Sequence, residues 1–122
     1  MLTYDVAIKN ARLTATRDQV AGGTLEIMAA DNTVLAIFAL TSVGGSVTAG
    51  VWTFAFNAST VTGQAAAGSG TNATKAQIKD STAAVRITGL TVGLSGTDII
   101  FDNVNIASGQ NVTLNSATVT HA

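Results

Sequence analysis

The chain has 122 residues and a formal net charge of −1, with 47% of its residues hydrophobic and only 11% charged. Globular domains average about a quarter charged residues, so this surface is short of the ions that keep monomers apart, and part of it is expected to be covered by copies of the chain or by another protein. Six Lys and Arg against seven Asp and Glu, with no basic cluster, exclude the positive stripe that nucleic-acid binding requires, and no apolar run approaches the roughly 20 residues of a membrane-spanning helix.

Residues 3–20 read as a helix. Tyr4, Ala7, Ile8, Ala11 and Ala15 recur at steps of three and four, which places them on one helical face, with Leu2, Val6, Leu13 and Val20 on the other. Asp5 and Lys9 have the i,i+4 spacing of a surface ion pair, and Gly22-Gly23 supplies a C-terminal stop. Thr14 and Thr16 are mediocre helix formers, and Leu2, Tyr4, Val6 and Ile8 also alternate, so a strand stays open as the alternative.

From residue 24 onward, short strands alternate with turn residues. Thr24–Met28 alternates, with Leu25 and Ile27 expected inward, and Asp31-Asn32 is a turn. Residues 33–40 are apolar at both parities, the mark of a central strand. Gly44-Gly45 is expected to break the chain before a strand at Val51–Phe56, which sets Trp52, Phe54 and Phe56 on one face. These large aromatics form either a core ladder or a subunit interface.

Residues 61–72 are rich in Ala, Gly and Ser, lack large side chains to pack, and read as a flexible loop at the surface or at a neighbour contact. Residues 76–79 and 84–86 bracket Asp80-Ser81-Thr82 as a hairpin. Val85 and Ile87 face one way, Gly89 interrupts, and Leu90 and Val92 resume in the opposite phase, which predicts a bulge. Residues 93–96 turn into Ile99–Phe101, and Ser108-Gly109-Gln110 turns into a last strand at Asn111–Thr120. Roughly seven short strands, at turn spacings of about ten residues, predict a mainly β single domain over residues 1–122. It comprises one N-terminal helix and a β-sandwich or jelly-roll-like barrel over residues 24–120.

No motif carries recognisable chemistry. A nucleophile needs a base within hydrogen-bond reach. The sole histidine, His121, stands beside the C-terminus where chains fray, and cysteine is absent, which removes disulfides and thiolate metal sites. Asp98 and Asp102, with Asn103 and Asn105 nearby, would share a side of one continuous strand, but their spacing matches no Ca²⁺ loop and reads as a polar outer face or turn. Residues 63–75 resemble a phosphate loop only superficially, since Ser69 and Gly70 follow Gly68 where Lys and Ser or Thr are required. Asn57-Ala58-Ser59, Asn72-Ala73-Thr74 and Asn111-Val112-Thr113 match glycosylation acceptors, as chance alone predicts in a chain this rich in Ser, Thr and Asn. Met1-Leu2-Thr3-Tyr4-Asp5 lacks the basic and apolar regions of a secretory signal, which predicts a protein made in the cytoplasm. The expectation is a protein that is not an enzyme, with no cofactor, no metal, no nucleic acid and no membrane among its partners.

A series of short segments carries a resemblance. Ala76-Gln-Ile-Lys-Asp-Ser, Leu90-Thr-Val-Gly, Ser95-Gly-Thr-Asp, Phe101-Asp-Asn, Ile106-Ala-Ser-Gly-Gln-Asn-Val-Thr and Ala117-Thr-Val-Thr-His follow one another in order. With Ile8-Lys-Asn-Ala-Arg-Leu and Gly23-Thr-Leu-Glu-Ile near the start, they resemble small structural proteins of tailed-bacteriophage virions. The resemblance covers most of the chain and is weakest over residues 44–72. It implies a virion protein with a jelly-roll-like β-sandwich, of the head decoration or cement type, made in the host cytoplasm and placed on the capsid exterior. Such proteins sit as homotrimers over junctions between major capsid protein subunits. A tail, neck or fibre component is the second reading, and a carbohydrate-binding, adhesin-like module the third. Candidate contact residues are Tyr4, Ile8 and Leu13 in the N-terminal segment, Trp52 on the aromatic strand, and Gln64 in the loop.

Overall fold

The computed structural model describes residues 4–101 and 103–120. The helical reading of the N-terminal segment holds, as α1 (Val6–Val20). Asp5 accepts the Ile8 amide at 2.9 Å, so its carboxylate satisfies an orphan donor of the first turn rather than pairing with Lys9. The buried side carries Leu13 and Val20, while Ala7, Ile8, Ala11 and Ala15 on the other face are exposed. Periodicity alone did not choose between the two faces. Leu13 and Val20 remove more apolar area from water than the alanines do, while Val6, expected on their side, is 52% exposed.

Among the described residues ten strands follow: β1 (Thr24–Met28), β2 (Val34–Thr48), β3 (Val51–Phe56), β4 (Thr60–Thr62), β5 (Thr71–Asn72), β6 (Lys75–Lys79), β7 (Val85–Gly93), β8 (Ile99–Phe101), β9 (Asn105–Ile106) and β10 (Asn111–Thr120). The main sheet runs β3-β2-β1-β6-β7-β8-β10-β4, and β3 also pairs with β10, so seven strands close into a barrel. The fold is mainly β with one helix, as expected. The main sheet is a closed barrel, and β5 and β9 pair apart from it as a two-stranded sheet. Closure depends on β10, which pairs with β4 through its first residues, with β8 through its middle and with β3 through its end.

A ring of strictly alternating strands needs an even number, so seven strands require a parallel pair. That pair is β7–β8, matched at Val92↔Ile99 and Gly93↔Ile100. Parallel neighbours ordinarily need a crossover of about a dozen residues; here residues 94–98 suffice, because β8 starts beside the end of β7. Asp98 pins this loop. Its carboxylate accepts the Thr91 amide at 3.0 Å and the Thr91 hydroxyl at 3.2 Å, and its carbonyl accepts the Thr118 amide at 3.0 Å. Asp98 is therefore a turn residue; Asp102 and His121 lie outside the described residues.

Gly44-Gly45 does not end a strand. The pair bends β2, whose register with β3 shifts between Leu40 and Gly45. Gly45 has φ of 121°, and a Cβ there would overlap the Thr53 carbonyl oxygen, so only glycine fits. The bulge expected near Gly89 is present: pairing with β6 shifts between Ala76↔Leu90 and Ile78↔Ile87, which brings Ile87 and Leu90 onto the core side together.

Both barrel ends are covered. Across the end where β1 begins lies α1, held by Arg17 Nη1 to the Gly45 carbonyl at 3.1 Å, the Gly50 amide to Asn10 Oδ1 at 2.8 Å, and Arg86 Nη2 to Gln19 Oε1 at 3.2 Å. The opposite end is closed by the stretch expected to be a loop. Residues 61–72 instead contain the end of β4, a 3₁₀ turn (Ala65–Ala67) and β5, tied down by Gln64 N–H to the Leu35 carbonyl and Gly63 N–H to the Gln110 carbonyl, both at 2.7 Å. Ala67 joins the buried core. Side chains that looked too small to pack are what lets this backbone approach the barrel so closely.

Candidate interaction surface

The five candidate contact residues are not gathered in one place. Trp52 is fully buried; its indole N–H donates to the Gly44 carbonyl at 3.0 Å, and its ring centroid lies 4.3 Å from that of Phe54. Phe54 meets Phe56 at 6.1 Å, and Phe38 meets Phe56 and Phe101 at 5.7 and 5.9 Å. The aromatic ladder is core, and Trp52 is too deeply buried to meet a partner. Leu13, 5% exposed, anchors the helix and is likewise core rather than contact surface. Tyr4 is half-buried with the Arg12 guanidinium 4.6 Å above its ring, and Ile8 is 46% exposed. Gln64 is exposed, on the segment capping the other end of the barrel.

What brings the surface together is the placement of charge. β2, β3, β4, β8 and β10 contain no Asp, Glu, Lys, Arg or His. Four of them, β8-β10-β3-β2, are consecutive around the ring, and β4 lies beside β10. Among the described residues, the charged strand residues (Glu26, Lys75, Lys79 and Arg86) all fall on β1, β6 and β7, which are also consecutive. The barrel thus has a charged wall and a neutral one. Thr53 and Thr118 are opposite each other on β3 and β10, and the Thr60 and Thr113 hydroxyls are 3.0 Å apart. Val43, on β2, is 60% exposed. Part of this pattern was readable in the linear sequence, since residues 32–74 contain no charged residue at all.

On the charged side, Glu26 pairs with Lys79 and Asp80 with Arg86 within the chain. Glu26, 7% exposed, accepts from Gln77 Nε2 at 2.6 Å and pairs with Lys79 Nζ at 3.1 Å, as a buried carboxylate must. At the β6–β7 turn, Asp80 pairs with Arg86 at 3.2 Å. The Thr82 hydroxyl and then the Ala84 amide, both donating to Asp80, hold its carboxyl down at a pKa of about 2. Arg17 and Asp18 pair at 3.1 Å on the helix.

A depression of about 130 Å³ opens beside β10, lined by Asn103, Gln110, Asn111, Val112 and Thr113. Its amides are largely occupied in the adjoining turns. Gln110 accepts the Ala107 amide at 3.0 Å and donates to the Asn105 carbonyl at 3.3 Å, and Asn103 accepts the Asn105 amide at 2.9 Å. None of the lining residues is charged or aromatic. Among the described residues, no three His, Cys, Asp or Glu gather as metal donors, and no helix is long and apolar enough to cross a membrane. Comparison with protein-family models, with curated proteins and with solved structures finds no match to this chain.

Proposed function

We propose that this chain is a structural protein of a bacteriophage virion, a head decoration protein that sits as a homotrimer on the capsid exterior and grips the major capsid protein. The observation that carries the proposal is the neutral wall β8-β10-β3-β2. Among the described residues, ionic groups are confined to the remaining strands, the helix and loops, which leaves about half the barrel short of the hydration and repulsion that hold proteins apart. The virion setting comes from the sequence resemblance. A jelly-roll-like architecture, the finer expectation from that resemblance, and a closed barrel share one useful property. Each limits open strand edges, which matters for a protein held at high density in many copies.

The mechanism is linkage. A protein that binds the assembled lattice but not dissociated subunits shifts the equilibrium toward assembly. A modest contribution per copy is enough when it is repeated across a shell.

Quantitative mass spectrometry of purified virions, paired with imaging of particles with and without this gene product, tests the proposal. Hundreds of copies on the head are expected. A dozen or fewer at one vertex would move the protein to the tail or neck, and absence from particles would refute the virion reading.

A further inference from the structure

We infer that α1 is a lid: it lifts as a unit off the barrel end that holds Trp52, while the barrel stays folded. The inference is independent of the virion reading. Of the four larger aliphatic side chains on α1, Leu13 and Val20 are buried, whereas Val6 is 52% and Ile8 46% exposed. Its side chains meet the strands through bonds at their tips. Asn10 accepts the Gly50 amide at 2.8 Å, Arg17 donates to the Gly45 carbonyl at 3.1 Å, and Gln19 accepts from Arg86 at 3.2 Å. A helix of 15 residues is marginal in water by itself, so α1 depends on these contacts to stay in place.

The root of the helix is fixed. Val20 is fully buried, the Gly22 amide donates to the Thr41 carbonyl at 2.9 Å, and a Cβ on Gly23 would overlap the Lys79 carbonyl oxygen. Residues 20–23 are thus seated on β2 and β6, and the helix ahead of them is what can move. The barrel does not need it: the ring closes through the β3–β10 pairing, and Leu25, Ile27, Phe38 and Phe101 fill the core from the strands. Under the lid stands Trp52. It follows Gly50 by two residues and its indole donates to the Gly44 carbonyl at 3.0 Å, so it lies between the points held by Asn10 and Arg17. A Cβ on Gly44 would be 3.1 Å from Arg17 Cγ, which places the Arg17 stem over that bond. Lifting α1 uncovers the indole and leaves every strand pairing intact.

The test is native-state hydrogen exchange of the full-length chain, read by NMR at fixed protein concentration and at several urea concentrations below the unfolding transition. Amides from Lys9 to Arg17 should exchange through one shared opening with little urea dependence, because that opening exposes little surface. It should be at least roughly tenfold more populated than the opening that frees Leu25 to Ile27, on a strand paired along both edges. The Trp52 indole N–H should exchange with the helix group. Asn10→Ala and Arg17→Met weaken the closed form and should speed helix exchange about fivefold. Ile99→Val, in a fully buried side chain on β8 that closed and open forms share, should speed exchange at Leu25 to Ile27 about fivefold while the helix group keeps its wild-type rate.

One opening common to helix and barrel, with Ile99→Val speeding both alike, overturns the inference. Rates that fall steadily from Val6 to Val20 would show fraying from the start of the helix, and overturn it as well. A helix group that opens separately while the Trp52 indole exchanges with Leu25 to Ile27 would overturn the assignment of Trp52 to the covered end.

Discussion

Replacing Trp52 with Phe tests whether the aromatic strand is core. The indole is fully buried and its N–H is 3.0 Å from the Gly44 carbonyl, in a residue that is itself buried. Removing the donor while leaving the acceptor costs about 1–3 kcal/mol. The smaller ring also leaves space against Phe54, whose centroid is 4.3 Å from that of Trp52, adding roughly 1 kcal/mol in lost packing. The total of about 2–4 kcal/mol is a large share of a typical domain's stability.

The assay is urea unfolding followed by far-ultraviolet circular dichroism at fixed protein concentration, since association shifts apparent stability. In the wild type, emission from this single Trp should move to longer wavelength over the same urea range. A loss below about 1 kcal/mol, or a variant that changes oligomer size at unaltered stability, would refute the assignment of Trp52 to the core.

Gly45→Ala should destabilise the fold by about 3 kcal/mol or more, because φ of 121° and overlap with the Thr53 carbonyl both oppose a Cβ; an unshifted thermal melt would contradict the β2 bend. Asp98→Ala should cost about 1–2 kcal/mol and speed hydrogen exchange at the Thr91 amide, the donor its carboxylate accepts; retained protection at Thr91 would show that the parallel join closes without this pin. The Asp80 carboxyl is lowered from an ordinary value of 3.8 to about 2, so its contribution to the hairpin is complete above the ordinary value and is lost as pH falls through about 2. Thermal melts of wild type and Asp80→Asn should therefore differ near neutrality and converge toward pH 2; a difference that persists there would refute the assignment.

The local features were legible because a few adjacent residues determine each one. The Asp31-Asn32 turn rests on Thr33 N–H bonding Asp31 Oδ1 at 3.1 Å, and the Asp80 hairpin rests on bonds within the same short stretch. Gly89 marks its bulge by the change of apolar phase around it. The helix and its stop at Gly22-Gly23 were readable from spacing, whereas which side it buries depends on the barrel beneath. The small side chains of residues 61–72 suggest a lack of packing in the sequence, whereas in the fold they permit close backbone approach.

Composition and charge spacing by themselves determined that this is a β-rich chain with few ions and long stretches with none. Only the tertiary structure decided that the strands close into a seven-membered ring, that Trp52 points into it, and that β8, β10, β3 and β2 lie side by side as one neutral wall. The physical reason is that strand adjacency is set by hydrogen bonds between distant segments, such as Thr118 with Thr53, which no local propensity or periodicity encodes.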